Sequence, residues 1–355
     1  MNTLEYCHEF ELSKINFTER KTRITHPKTI ISGPFGSGKT FLIFDYLSNF
    51  KTEDYLYIDF SDIRNSKEVI KEKLEGYISK NSIKVLVLEN FDFSFKIPTC
   101  DSIIISTHEK VEMKGYKNIF LSPLDFEEYL LHENKNQNIT QSFNTYLKHG
   151  NLPQSVNLPE YKVYNELQNL IKLYTKDETS EKIIKVLFEN IDEKKSLNQL
   201  FLLLKQEIKI SKDKFYAKCK DYENQKIIYF IKKFEQDKAT KKIYSYNSAF
   251  LNAITHKKKF KSELTNIIFQ ELVNKNQKIF YLDYIDFYLP KERIGICSIP
   301  FFNSMLMASQ TKKILKVARE YNIKNIYIIT VSNNEHFFKE EIEINVLPFY
   351  EWALS

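Results

Sequence analysis

Short apolar runs alternate with amphipathic stretches along the first third of the chain. Residues 28–32, 55–60, 83–92, 101–108 and 119–121 are compact runs rich in β-branched and aromatic residues, and each reads as a strand. Between them, 40–47 and 66–79 carry helical spacing, and another helix starts after Ser122-Pro-Leu-Asp with a proline and acids in its first turn. This alternation predicts an α/β fold, a mostly parallel sheet with helices on both faces and any ligand at the carboxyl ends of the strands. The stretch 12–23 is polar and is expected to cover the edge of that sheet.

The pattern then changes. Residues 161–174, 181–189 and 196–204 have helical apolar spacing, Ser211 caps a further helix over 212–223, and 227–234 with 241–246 reads as two strands round a polar tip. Short helices followed by a β-ribbon predict a winged helix. From residue 260 the reading is a helix at 263–273, strands at 278–281, 285–289 and 294–298, a helix at 305–321, a strand at 325–331 and an apolar tail at 342–354. The expected domains are therefore 1–155, 156–255 and 256–355.

Chemistry concentrates in residues 30–44, IISGPFGSGKTFLIF. Gly33, Pro34, Phe35, Gly36, Ser37, Gly38, Lys39 and Thr40 complete G-x-x-x-x-G-K-T, the phosphate-binding loop of nucleotide hydrolases, in the strand–loop–helix context that motif requires. Glycines let backbone N–H groups turn inward around phosphate oxygens, and a helix N-terminus adds partial positive charge. Lys39 is expected at the β/γ phosphates and the Thr40 hydroxyl on Mg2+. Only seven glycines occur in the chain, and three of them lie in this loop.

Residues 83–92, IKVLVLENFD, have the form of the second nucleotide motif, an apolar strand with an acid at its tip. Glu89 stands where an Asp usually holds the Mg2+ shell, and Asn90 where a Glu usually polarises the attacking water. Asp92 is the only carboxylate close by in sequence that could substitute. The polar end of the next strand, Ser106, Thr107 and His108, is expected to face the γ-phosphate, although a lone histidine there is more often a capping or surface residue.

The net charge of +6 is uneven. Residues 1–155 carry 19 Lys/Arg against 21 Asp/Glu, a net of −2, whereas 205–261 carry 16 lysines against 6 acids, a net of +10. A basic segment beside a near-neutral nucleotide domain suggests polyanion contact, with Lys212, Lys214 and Lys218 on or near a DNA-facing helix. That helix lacks an Arg, Asn or Gln placed for a bidentate base contact, so any DNA binding is expected to be weak and non-specific. Winged helices also act as lids and docking modules, and that role ranks slightly ahead. No apolar run approaches a membrane span, the start has no signal-peptide core, and Cys7, Cys100, Cys219 and Cys297 are far apart. A cytoplasmic protein with reduced thiols and no membrane partner is expected.

The order of phosphate loop, acid-tipped strand and then LSPLDFEEYL at 121–130 resembles a group of prokaryotic AAA+-type ATPases. Their F-x-x-Y-L-x-x-G-x-L-P is matched by Phe143, Tyr146, Leu147, Gly150, Leu152 and Pro153. The resemblance covers almost the whole chain. It implies ATP as the nucleotide, a winged helix, and a C-terminal domain of uncharacterised role with a restriction-nuclease-like fold. The nuclease motif is degenerate here: Asp286 is kept in Ile285-Asp286-Phe287, but Thr265 replaces the first acid, and GICSIP at 295–300 replaces Glu-x-Lys. Glu271 is the one acid that could be recruited, and it lies about 240° round the helix from Thr265. The domain is therefore expected to be a docking surface for a protein partner, using Phe301, Phe302 and residues 305–307, and not a working nuclease.

Two functions of different class follow. One is an ATPase, with ATP at residues 33–40, Mg2+ on Thr40 and Glu89, and Asp92 or Asn90 orienting water. The other is an ATP-gated regulator that binds DNA or protein and hydrolyses slowly or not at all. Glu-Asn in place of Asp-Glu favours slow turnover, as does the absence of arginine between Arg64 and Arg293, where ring ATPases of this type supply a charge-stabilising finger.

Overall fold

In the computed structural model, the described residues are all but 1–2, 13–14, 16–17, 109–110, 136, 304 and 340. The chain divides into two compact units, Met1–Pro123 and Leu124–Ser355.

In the first unit, β1 (Lys28–Ser32), β2 (Tyr55–Asp59), β3 (Val85–Glu89), β4 (Ser102–Thr107) and β5 (Lys117–Phe120) form one parallel sheet in the order β2-β3-β4-β1-β5. Helices α1 (Thr3–His8), α2 (Lys39–Leu47) and α3 (Lys67–Asn81) flank it. The inner strands are apolar at almost every position because both faces are covered. Ile30, Leu56, Ile58, Leu86, Leu88, Ile103 and Ile105 pack with α1 and α3. The alternate residues Ile31, Tyr55, Tyr57, Val85, Val87 and Ile104 pack with Leu42, Ile43, Phe44 and Leu47 of α2. Asp59 and Glu89 continue the parity of Tyr57 and Val87, which turns both carboxylates to the α2 face. The described part of 12–23 does more than cover an edge. Leu12 and Ile15 pack into the α2-side core beside Phe10, whose ring stacks on Tyr57 at 4.5 Å; 13–14 and 16–17 lie outside the described residues.

The second unit begins with α4 (Phe126–His132), α5 (Ile139–His149), α6 (Glu160–Tyr174), α7 (Glu178–Phe188), α8 (Leu197–Glu207) and α9 (Lys212–Asn224). An antiparallel ribbon follows, β6 (Ile228–Ile231) with β7 (Lys242–Ser245), then α10 (Phe250–Ile254) and α11 (Phe260–Asn274). A mixed sheet holds β8 (Phe280–Leu282), β9 (Ile285–Leu289), β10 (Ile294–Ser298), β11 (Asn325–Thr330), β12 (Glu335–Lys339) and β13 (Ile342–Pro348) in the order β12-β13-β11-β10-β9-β8. Helix α12 (Ala308–Glu320) precedes β11, and α13 (Phe349–Ala353) follows β13. The caps are those the sequence advertises: Asp125, Ser196 and Ser211 each accept a backbone N–H in the first turn of α4, α8 and α9.

The sequence reading places residues 124–155 with the nucleotide domain, whereas the compact units place them in the second. The reason is aromatic packing. Phe143 stacks on Phe349 at 5.4 Å, and Phe126 and Tyr146 meet the same ring. Glu271 of α11 also accepts the Phe126 N–H at 2.8 Å. Strand β12 was not anticipated, because EHFFK is short, polar and at a sheet edge, where no alternation is imposed. Among the described residues no helix is long and apolar enough to cross a membrane.

Candidate functional site

The loop from Gly33 to Gly38 leaves β1 at its carboxyl end and feeds α2. Gly38 is the N-cap of α2 at φ 94°, a left-handed conformation that side chains disfavour. Gly33 is required for space, since a Cβ there would stand 2.4 Å from the Leu121 carbonyl oxygen. Lys39 folds back over the loop and donates to the Gly33 and Pro34 carbonyls at 2.8 and 2.9 Å. Burial pushes its pKa down to about 8, against the opposing pull of Glu89. Arg20, to which the sequence reading gave no role, is buried beside the loop. It donates to the Ser37 carbonyl at 2.7 Å and the Ser122 carbonyl at 3.0 Å, fastening the loop to the end of β5. The signal was absent from the sequence because the partners are main-chain oxygens.

Thr40, in the first turn of α2, donates to Glu89 Oε1 at 2.5 Å, and the Tyr57 hydroxyl donates to Glu89 Oε2. Strand β4 lies between β1 and β3, so Glu89 is two strands away from the loop's own strand. The loop and the start of α2 cross that gap. Burial raises the Glu89 pKa, while the two hydroxyls and Lys39 work against it. Tyr57 was missed as a site residue because it reads as one more apolar strand position.

Hard oxygen donors of this kind suit Mg2+, which takes one or two protein ligands and completes its shell with phosphate and water. Among the described residues no group of three or more His, Cys, Asp and Glu could hold a metal by itself. The loop also leaves the Ser37 Oγ buried with no hydrogen-bond partner among the described residues, which fits a loop shaped to meet a ligand's acceptors. Thr40 and Glu89 are the oxygen-bearing side chains beside the loop that fit such an ion.

Asn90, at φ 55°, is fixed on both sides of its amide. Its Nδ2 donates to Asp59 Oδ1 at 2.9 Å, and its Oδ1 meets His108 Nε2 at 3.1 Å, which assigns the proton to Nε2. Its own N–H donates to Ser106 Oγ at 3.1 Å. The His108 ring lies on Phe35 of the loop, with centroids 3.8 Å apart. Burial, aided by the Lys39 charge, pushes His108 down to about 3, so it is a neutral, half-buried residue packed on the loop. Asp92 stands differently from the expectation. Its half-exposed carboxylate accepts from Lys67 at 2.6 Å and from the Ser94 N–H, and these bonds pull its pKa down to about 2. Asp92 is also not the only carboxylate at hand. Parallel register sets Asp59 directly opposite Glu89, a neighbour that sequence distance hides.

The second unit gathers charges that the degenerate nuclease motif did not reveal. Asp286 Oδ2 accepts the Ser298 N–H at 2.9 Å, and its Oδ1 accepts from Lys242 at 3.0 Å. Lys242 bonds Asp192 Oδ1 at 2.7 Å as well, and Lys261 stands 3.6 Å from both acids. The sequence reading found no second acid or lysine for Asp286; the fold brings both, from β7, α11 and the loop after α7. The Lys242 ammonium occupies the place between the two carboxylates. Buried as Asp286 is, the two lysines hold its carboxyl below the usual range. Glu271 is elsewhere, on the Phe126 N–H and the Tyr146 hydroxyl. Of the expected docking residues, Phe301, Met305 and Leu306 are exposed, but Phe302 is buried and Met307 packs against the core. On α9, Lys212 and Lys214 are exposed and Lys218 is half-buried, opposite the buried face of Phe215, Cys219 and Tyr222.

No protein-family model matches the chain. It is similar to the uncharacterized protein MJ1544 of Methanocaldococcus jannaschii, at 21% identity over 394 aligned positions covering 92% of this chain and 88% of that one. Among solved structures it is similar to the Walker-type ATPase PabY2304 of Pyrococcus abyssi, with a TM-score of 0.44 and 12% identity over 65% of this chain and 91% of that chain.

Proposed function

We propose that the first unit binds ATP with Mg2+ and hydrolyses it slowly. The observation that carries this reading is the contact between Thr40 and Glu89 at the mouth of a complete G-x-x-x-x-G-K-T loop. The loop's N–H groups and the start of α2 receive the phosphates, Lys39 turns from the loop carbonyls to the β/γ phosphates, and Thr40 and Glu89 hold Mg2+. The ion supplies neutralisation of the phosphate charge. ATP is taken as the nucleotide through the resemblance to AAA+-type ATPases, and the chain has no Asn/Thr-Lys-x-Asp motif for reading guanine. Asn90 in place of an acid, and Asp92 committed to Lys67, both point to slow turnover.

The nucleotide then acts as a switch on the later regions, read as a winged helix over 156–255 and an inactive nuclease-like domain over 256–355. Support comes from the β6/β7 ribbon after α9 and from the Lys242 ammonium lying between the Asp192 and Asp286 carboxylates. The second reading is an ATP-gated binder that does not hydrolyse. It is favoured by the missing arginine finger, with DNA or a protein as the partner. Calorimetry for ATP together with steady-state phosphate release separates the two: affinity with measurable turnover supports the first, affinity with none the second, and no affinity ends both.

A further inference from the structure

The residue that usually polarises the attacking water is an amide here, yet a carboxylate stands against that amide. Asp59 closes β2, in register with Glu89, on the face that carries Tyr57 and Val87. It is half-buried, and its Oδ1 accepts from Asn90 Nδ2 at 2.9 Å and from the Ser61 N–H at 2.8 Å. The Ser61 hydroxyl lies 2.8 Å from both of its oxygens. Beyond Asn90 the chain of bonds runs to His108, whose ring rests on Phe35 of the phosphate loop. Asp59, Asn90 and His108 thus come from the carboxyl ends of three adjacent strands, β2, β3 and β4, and end on the loop itself.

Resting on the ATPase reading above, we infer that Asp59 supplies the carboxylate that activates water, with Asn90 as the positioning residue clamped between Asp59 and His108. The acid stands on β2 and the amide follows β3, and this arrangement has a physical reason. Two carboxylates within hydrogen-bond distance could not both ionise, and one would be forced to hold a proton. An amide at 90 gives Asp59 a donor that fixes it and gives His108 a partner for its Nε2. In the reaction, the water oxygen bonds to the γ-phosphorus as one of its protons passes to Asp59. The bond between that phosphorus and the β-bridging oxygen breaks, and ADP leaves with the electron pair. The proton then returns from Asp59 to solvent. Asp92 stands outside this chain, held by Lys67.

The test uses the full chain and measures ATP affinity by calorimetry alongside kcat and KM for phosphate release. Asp59→Asn should bind ATP within about threefold of wild type while kcat falls about a hundredfold or more, the range of a lost general base. Asp59→Glu should restore part of kcat, which a purely structural role would not produce. Asn90→Ala should lower kcat with KM little changed, and it serves as the second variant if Asp59→Asn does not fold. Unchanged kcat in Asp59→Asn overturns the inference. So does turnover that falls with Asp92→Ala and not with Asp59→Asn, or a wild type that binds ATP and releases no phosphate. Loss of ATP affinity in the wild type itself is a separate result, and it ends the underlying reading.

Discussion

The Thr40 hydroxyl donates to Glu89 across 49 residues of sequence, at 2.5 Å. The contact exists because α2 starts immediately after the loop and because the parity of β3 turns Glu89 to the α2 side. On the ATP-binding reading, these are the two side-chain oxygens that would hold Mg2+.

On the proposed ATP-binding reading, Lys39 sets the affinity and its pH dependence. Burial holds it near 8 in the free protein, and bound polyphosphate raises it. ATP affinity should therefore be level just below pH 8 and fall up to about tenfold per unit above it, with proton uptake on binding. The free fold gains stability as pH rises from about 8 to about 10.4, because the unfolded chain keeps the proton longer. Calorimetry at pH 9 in buffers of different ionisation heat measures the uptake. Lys39→Ala should abolish it and weaken ATP binding roughly a hundredfold, since charge-assisted contacts are the strong ones.

Tyr57→Phe removes a hydroxyl from a buried carboxylate. Glu89 Oε2 loses its donor while remaining enclosed, so stability should drop by about 1–3 kcal/mol. Urea unfolding of the two proteins gives the difference, and equal midpoints would show that Glu89 does not depend on this bond.

Lys242 neutralises two acids at once. Lys242→Met leaves Asp192 and Asp286 buried without their bridging cation and should cost about 3–5 kcal/mol. Adding Asp192→Asn and Asp286→Asn should recover part of it. Asp286 titrates below its unfolded value, so its contribution is full above about pH 4 and is lost as pH falls through the lowered value. Asp286→Asn removes that contribution at every pH, so acid unfolding should shift to higher pH, and an unchanged or lower midpoint would contradict this account.

The same cluster predicts no DNA cleavage. Incubation with plasmid in Mg2+ or Mn2+ should leave the substrate intact, because an ammonium already lies between the acids. Cutting that disappears in Asp286→Ala would show that a metal displaces Lys242.

Any DNA binding should come from phosphate contacts along α9. Charge reversal at Lys212, Lys214 and Lys218 should weaken it for all sequences alike, and affinity should fall steeply with salt. A salt-insensitive or sequence-selective complex would contradict this.

Much of the fold was legible because local rules coincide with it. The strands of the first unit are short β-branched runs, and Ser66, Asp125, Ser196 and Ser211 cap the helices that follow them. The loop was legible because G-x-x-x-x-G-K-T is contiguous. What stayed hidden were contacts made by main-chain oxygens, as at Arg20, and by residues that resemble core, as at Tyr57.

By itself the sequence determined the phosphate loop, the acid at the tip of β3 and the alternation of strand and helix. All of these are properties of neighbouring residues. The tertiary structure alone decided that Asp59 faces Asn90, that Glu271 serves α4 and not Asp286, and that Lys242 joins Asp192 to Asp286. Those depend on strand order and register, which place residues tens of positions apart within hydrogen-bond distance, and a sheet's order is set by how its faces pack, not by any short run of sequence.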